Sequence, residues 1–203
     1  VPFGSAGIGV YTINLTGLTP NTTYKVRAYA ISAVGTAYSS PQSSFDTLSV
    51  PLITLDTVTN TGLGQVQAVA TVTDNGGVNI TERGILYSTT VLVPTWAATL
   101  PTGVSKSSEN PTAPGTGQYT RNLSSLSQNT TYYIRAYAVN NQGAGYDTTQ
   151  TITTIAIPDI VTNNATSPTG TSMTLSGSLN STGNCTILER GFYFGTNQTT
   201  LYS

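Results

Sequence analysis

Residues 18–38, LTPNTTYKVRAYAISAVGTAY, return as residues 126–146, LSQNTTYYIRAYAVNNQGAGY, 108 positions further on. A near-copy at fixed spacing means that one structural unit is written out in succession, so any fold must accommodate several copies along the chain. A second pair sets the length of the unit. ERGILYSTT starts at Glu82 and ERGFYFGTN at Glu189, 107 positions on, and Pro51 recurs as Pro158 at the same step. A unit therefore begins at each of these prolines. Residues 1–50 read as the back half of one unit, 51–157 as a complete unit, and 158–203 as the front half of a third.

The complete unit reads as strands throughout. Leu52 to Thr59 alternates as a first strand, and Val66, Ala68, Ala70 and Val72 share one face of a second. The third unit repeats that phase in Met173, Leu175, Gly177 and Leu179. Asp74-Asn75-Gly76-Gly77 supplies positive-φ residues for a hairpin turn, and a Ca²⁺ loop is a poor alternative because one carboxylate cannot supply the oxygens the ion needs. A strand from Ile80 to Ser88 follows. Residues 89–117 carry four prolines that break any long strand. The pattern resumes at Gln118–Leu123, runs again from Tyr132 to Val139 and finishes at Tyr146–Ile155. About seven short strands with regular turn signals and no helical period predict an all-β fold, an antiparallel β-sandwich.

Composition narrows the chemistry. Charged residues make up 7% of the chain, against about 25% in ordinary domains, so Thr, Ser, Asn and Gln must build the polar surface. A net charge of −1 gives no basic footprint for nucleic acid, and no apolar run approaches a membrane span. There is no histidine, which removes Ser-His-Asp and Cys-His catalysis and the commonest zinc sites. The eight acids are scattered over turns and repeat positions, so no general acid/base pair assembles, and GTG at 115–117 precedes a strand rather than a phosphate-binding helix. Cys185, the single cysteine, reads as a small buried side chain on a strand. The chain is expected not to be an enzyme, and no cofactor is implied.

The spacing Leu126-x5-Tyr132, and again Leu18-x5-Tyr24, resembles the tyrosine corner of fibronectin type III domains, in which a Tyr at the start of the sixth strand hydrogen-bonds back to the preceding turn. The longer pattern, ERG-x-x-x-S followed by GTG-x-Y and NTTYY-x-RAYA, looks like the fibronectin type III-like repeats of long secreted Bacteroidota surface proteins. That resemblance implies tandem fibronectin type III/immunoglobulin-like antiparallel β-sandwiches at an extracellular cell or virion surface, acting as spacers, adhesins or accessory modules. A structural or adhesive filament segment is the leading reading. The mid-unit ends leave two expectations: the favoured one, that the 203 residues are a window of a much longer chain, and the other, that chains polymerise by completing one another's strands. The alternatives are a carbohydrate-binding accessory module and a viral tail-fibre segment. Expected partners are neighbouring copies of the same repeat, in the same or an adjacent chain, together with surface glycans.

Several residues stand out against this background. The pleat turns Tyr132, Ile134, Ala136 and Ala138 inward and Tyr133, Arg135 and Tyr137 outward. Glu82, Gly84 and Leu86 should face the same way on the neighbouring strand. Arg135 could then pair with Glu82 in a cross-strand ladder, with Tyr137 lying over Gly84. Tyr119, Tyr133 and Tyr137 read as exposed sheet-surface residues. Trp96, the only tryptophan, offers a contact or sugar platform from the Pro-rich loop. Thr47, Thr57 and Thr148 each follow an Asp and match a short O-glycosylation signal. Short, Pro-containing junctions at 48–51 and 155–158 leave little slack between units.

Overall fold

A computed structural model describes residues 7–90 and 99–196. Four short strands come first: β1 (Thr23–Val26), β2 (Tyr29–Ser32), β3 (Gly35–Tyr38) and β4 (Ser43–Asp46). Eight longer ones follow: β5 (Leu52–Gly62), β6 (Gln65–Asp74), β7 (Glu82–Ser88), β8 (Val104–Glu109), β9 (Gly117–Leu123), β10 (Thr131–Asn140), β11 (Gly143–Tyr146) and β12 (Gln150–Thr153). The last two are β13 (Asp159–Thr162) and β14 (Gly177–Ser181). All pairings are antiparallel.

Strands β5 to β12 build a β-sandwich of fibronectin type III-like arrangement. One sheet has the order β5-β6-β9; the other runs β11-β10-β7-β8, with β12 also paired to β10. The sequence QVQAVATVTD dictates the inner face of β6, because a period of two sends Val66, Ala68, Ala70 and Val72 to one side. All four are buried, and β10 answers across the gap with Ile134, Ala136 and Ala138. Ile53, Leu55, Ile85, Leu123 and Leu126 complete this core. Fully burying a side chain the size of Val or Ile contributes about 1.5–3 kcal/mol, so this one layer carries most of the fold.

Four sequence expectations need correction. The Asp74–Gly77 turn is not a hairpin: β6 pairs with β5 and β9, while β7 pairs with β10 and β8, so the turn carries the chain from one sheet to the other. Gly76 and Gly77 do take positive φ, and the Asp74 carboxylate accepts the Gly76 N–H at 2.7 Å. Within the Pro-rich stretch, VSKSSE forms β8, a strand the sequence reading did not find. The outer face of the larger sheet is not bare, because Leu86, Tyr137 and Val139 are buried in a second cluster under Leu100, Val104, Ala144 and Tyr146. Tyr119 is buried as well, in the main core, and Tyr133 is half-buried. Cys185 lies exposed on a bend rather than on a buried strand. Its counterpart in the sandwich, Val78, is half-buried.

Candidate junction and interaction site

The tyrosine corner is local chemistry. The sharp turn after Leu126 leaves the Ser127 N–H without a ladder partner, and the Tyr132 hydroxyl accepts it at 3.0 Å. Leu126 is buried in the core, and its own N–H goes to the Gly64 carbonyl at 3.0 Å. Near the N-terminus the Thr19 N–H donates to the Tyr24 hydroxyl, also at 3.0 Å, with Leu18 and Tyr24 half-buried. A threonine closes each corner from the far side. Thr154 is fully buried; its hydroxyl donates to the Ser127 carbonyl at 2.6 Å and accepts the Thr130 N–H at 3.0 Å. Thr47 repeats this, donating to the Thr19 carbonyl at 2.6 Å and accepting the Thr22 N–H at 2.9 Å. The Thr47 hydroxyl is therefore committed to the fold, whereas Thr57 and Thr148 are exposed.

On the outer face of the larger sheet, β10 and β7 pair so that Tyr137 lies opposite Gly84, Arg135 opposite Leu86 and Glu82 opposite Val139. Glu82 and Arg135 thus share a face on the diagonal, with Tyr137 between them. The Tyr137 hydroxyl donates to the Glu82 carboxylate, which also holds the Lys106 ammonium at 2.8 Å. Arg135 donates from Nε to the Asp147 carbonyl at 2.6 Å and stacks over Tyr146 at 4.7 Å. The N-terminal copy does the same: Arg27 reaches the Ser39 carbonyl at 2.7 Å and covers Tyr38 at 4.9 Å.

Tyr119 crosses the sandwich, a role the sequence reading missed. From β9 its hydroxyl donates to the Gly84 carbonyl at 2.9 Å and lies 3.3 Å from the Tyr137 carbonyl, both in the opposite sheet. The Arg83 guanidinium sits over its ring at 4.8 Å. Glu109 bridges Arg83 at 2.8 Å and Arg121 at 3.2 Å, closing the side of the sandwich where β8 faces β9. Burial is the main cause raising the Tyr119 phenol well above the ordinary tyrosine range. Burial, then the hydrogen bond to Glu82, does the same to Tyr137.

The junction into the sandwich is gripped by two turns. The Ser49 N–H donates to the Gly76 carbonyl at 3.0 Å, and the Asn140 amide donates to the Ser49 and Asn75 carbonyls, each at 2.8 Å. Any side chain at Gly76 would place its Cβ 2.1 Å from the Ser49 carbonyl oxygen. The junction after β12 is built alike: the Ala156 N–H donates to the Gly183 carbonyl at 2.8 Å, and a Cβ on Gly183 would fall 2.0 Å from the Ala156 oxygen. Ser49 and Ala156, like Gly76 and Gly183, stand 107 positions apart.

A cleft of about 280 Å³ opens at the surface of the sandwich, lined by Tyr87, Tyr132, Leu126, Ser105 at the start of β8 and the turn at Ser124 and Ser125. Trp96 lies outside the described residues. Among the described residues no three His, Cys, Asp or Glu side chains gather as a metal site. No helix there is long and apolar enough to cross a membrane.

Comparison with solved structures finds likenesses at low identity only. No protein-family model matches it, and no curated protein sequence does. The sensor domain of the anti-sigma factor RsgI4 of Pseudobacteroides cellulosolvens is similar at 20% identity, covering 55% of this chain and 100% of that one, with a TM-score of 0.38. Domains d3-d4 of the rat CD45 extracellular region are similar at 12% identity over 75% of each chain, TM-score 0.42. The FN1-FN3 domains of chicken CNTN1 are similar at 20% identity over 68% of this chain, which spans 44% of theirs, TM-score 0.36.

Proposed function

We propose that the chain is a non-catalytic structural segment of an extracellular surface filament or stalk, built from tandem β-sandwich units at residues 1–50, 51–157 and 158–203. Its work is geometric: it extends and presents whatever it is joined to, in the manner of the secreted Bacteroidota surface repeats it resembles. The observation that carries this reading is the junction made twice, at Ser49–Gly76 and at Ala156–Gly183, by a backbone hydrogen bond over a glycine that leaves no room for a side chain. Two identical clamps at the repeat distance give a stiff, regular rod rather than beads on a loose string. Neighbouring repeats are the principal partners, and glycans on the exposed Thr57 and Thr148 would supply solubility that the few charges do not. Intact mass of native material reads the glycans directly, and the bare polypeptide mass would remove them.

The rod is tested by spin labels at Lys25→Cys and Thr120→Cys in a Cys185→Ser background. The expected result is a narrow distance distribution that broadens with Gly76→Val. A distribution already broad with Gly76 in place overturns the stiff joint. A second reading, a carbohydrate-binding module, draws on the uncharged, hydroxyl-rich cleft beside Tyr87 and Tyr132. A neutral sugar ring stacks on such tyrosines. Glycan-array binding lost in Tyr87→Ala would favour it, and an array without signal would dismiss it.

A further inference from the structure

We propose that Asn75 is a self-modifying site: the turn between the two sheets promotes its deamidation by the Gly76 nitrogen, and the product loosens the junction at Ser49. Asn75-Gly76 is the only Asn-Gly pair in the chain. A glycine puts no side chain beside its nitrogen, so the attacking atom meets the least steric hindrance there.

The turn sets three groups around the reacting atoms. The Asp74 carboxylate accepts the Gly76 N–H at 2.7 Å, within the reach of a general base. The Gly77 N–H donates to Asn75 Oδ1 at 3.0 Å, which polarises the side-chain carbonyl and gives charge developing on that oxygen a donor. The positive φ of Gly76 and Gly77 brings both bonds about. The Gly76 nitrogen bonds to Asn75 Cγ as its proton passes to the Asp74 carboxylate. The Cγ–Nδ2 bond then breaks, and the Asp74 carboxyl returns the proton to the departing nitrogen, which leaves as ammonia. One water opens the succinimide ring that results. Opening at Cγ leaves aspartate at position 75; opening at the backbone carbonyl leaves isoaspartate, with the main chain routed through the side chain.

Isoaspartate dismantles the clamp. The Asn75 backbone carbonyl, which accepts the Asn140 amide at 2.8 Å, becomes a carboxylate outside the main chain. The added carbon displaces Gly76, whose carbonyl takes the Ser49 N–H at 3.0 Å and which has no slack against the Ser49 oxygen. This consequence rests on the stiff joint proposed above; the chemistry does not. The second junction is built without it. At the matching positions, 107 further on, stand Ser181, Thr182 and Gly183. The Ser181 hydroxyl accepts the Gly183 N–H at 3.0 Å, so the same turn closes with neither a carboxylate base nor a side-chain amide.

The test compares the full chain folded in buffer with the same chain unfolded in urea, both held at neutral pH and body temperature. Peptide mapping by mass spectrometry follows loss of Asn75, and an isoaspartate methyltransferase assay follows the isomer. The folded chain should react roughly tenfold faster, less than the about 10²–10⁴ a positioned base contributes because the fold also restricts ring closure. Asp74→Ser keeps the turn's hydrogen bond in the form that Ser181 makes. It should bring the folded rate down to the urea rate or below and leave the rate in urea unchanged. A folded chain that reacts more slowly than the unfolded one overturns the proposal, and that comparison needs no substitution. A folded Asp74→Ser variant as fast as its parent overturns it too. On storage, the spin-label distances should broaden as isoaspartate accumulates and stay narrow in Asn75→Thr. Accumulation under narrow distances removes the loosening, whereas distances broad from the start remove the stiff joint and leave the chemistry.

Discussion

Raising the pH should unfold the sandwich through two tyrosines. Tyr119 gives its hydroxyl hydrogen to backbone carbonyls of the opposite sheet, and Tyr137 gives its own to the Glu82 carboxylate. A phenolate at either place would face oxygen acceptors in a buried setting, and burial is the largest cause holding both groups protonated beyond the ordinary tyrosine range. An unfolded tyrosine releases its proton near pH 10 (about). Above that point the native state keeps two protons that the unfolded state has lost, so stability is intact below about pH 10 and falls as pH rises. Each proton is worth about 1.4 kcal/mol per pH unit, so the pair removes about 2.7 kcal/mol per unit. Against a typical stability of about 5–15 kcal/mol, two to three pH units suffice to melt a domain at the lower end. Urea midpoints measured from about pH 9 to about pH 12 give the slope, and tyrosinate absorbance should rise together with loss of sheet signal. Tyr119→Phe and Tyr137→Phe should each roughly halve the slope. If both variants keep the original slope, or all tyrosines titrate normally while the sheets persist, neither phenol is held as described.

Tyr132→Phe should cost about 1 kcal/mol in chemical denaturation, since it strips the Ser127 N–H of its partner, whereas Tyr24→Phe, whose bond lies in solvent, should leave the denaturation midpoint unchanged. Asn140→Ala should cost about 1–3 kcal/mol and speed amide exchange at Ser49, because one buried amide serves two carbonyls at the junction. Glu82→Gln and Arg135→Gln, alone and together, should show a coupling of about 0.2–1 kcal/mol. Strict additivity would remove the cross-strand ladder.

The core was legible because β6 and β10 are written with a clean period of two: nothing else accounts for Val66, Ala68, Ala70 and Val72 at alternate positions. The outer face was not, because alternation reports which way a residue points and not what later covers it. Tyr137 points outward as its place in the pleat requires, yet it is buried, since Leu100 and Val104 close over it from a segment distant in sequence and Tyr146 from the adjoining hairpin strand. Tyr119 shows a different limit. Tyr119 shares the inward phase of Leu123 on β9, facing Ala70 as Leu123 faces Val66, and Arg121 stands between them in the same phase. That guanidinium reaches the rim through Glu109, a pairing made by β8, and β8 was hidden among prolines. The DNGG turn was recognised by its glycines, and its destination in the opposite sheet was not, because a turn's local geometry does not name the strand that follows it.

One stretch repeats its contacts in two surroundings. The corner distances agree at 3.0 Å, the threonine locks at 2.9 and 3.0 Å, and the Arg-over-Tyr stacks at 4.9 and 4.7 Å. All of these contacts lie within one ribbon, so residues 18–47 and 126–154 carry them without help from the rest of the unit. Continuity of the strand is different. β10 runs unbroken from Thr131 to Asn140, while its counterpart divides into β1 and β2 at Arg27-Ala28. The matching residues Arg135 and Ala136 lie opposite Leu86 and Ile85 of β7, whose ladder spans Tyr133 to Val139. Among the described residues no strand takes that place beside β1 and β2. The ribbon thus encodes its own hydrogen bonds, and the adjoining strand supplies the straightness and the burial. Sequence likeness between copies is strongest in the self-sufficient part, which is why the repeat announced itself at the tyrosine corner rather than in the core.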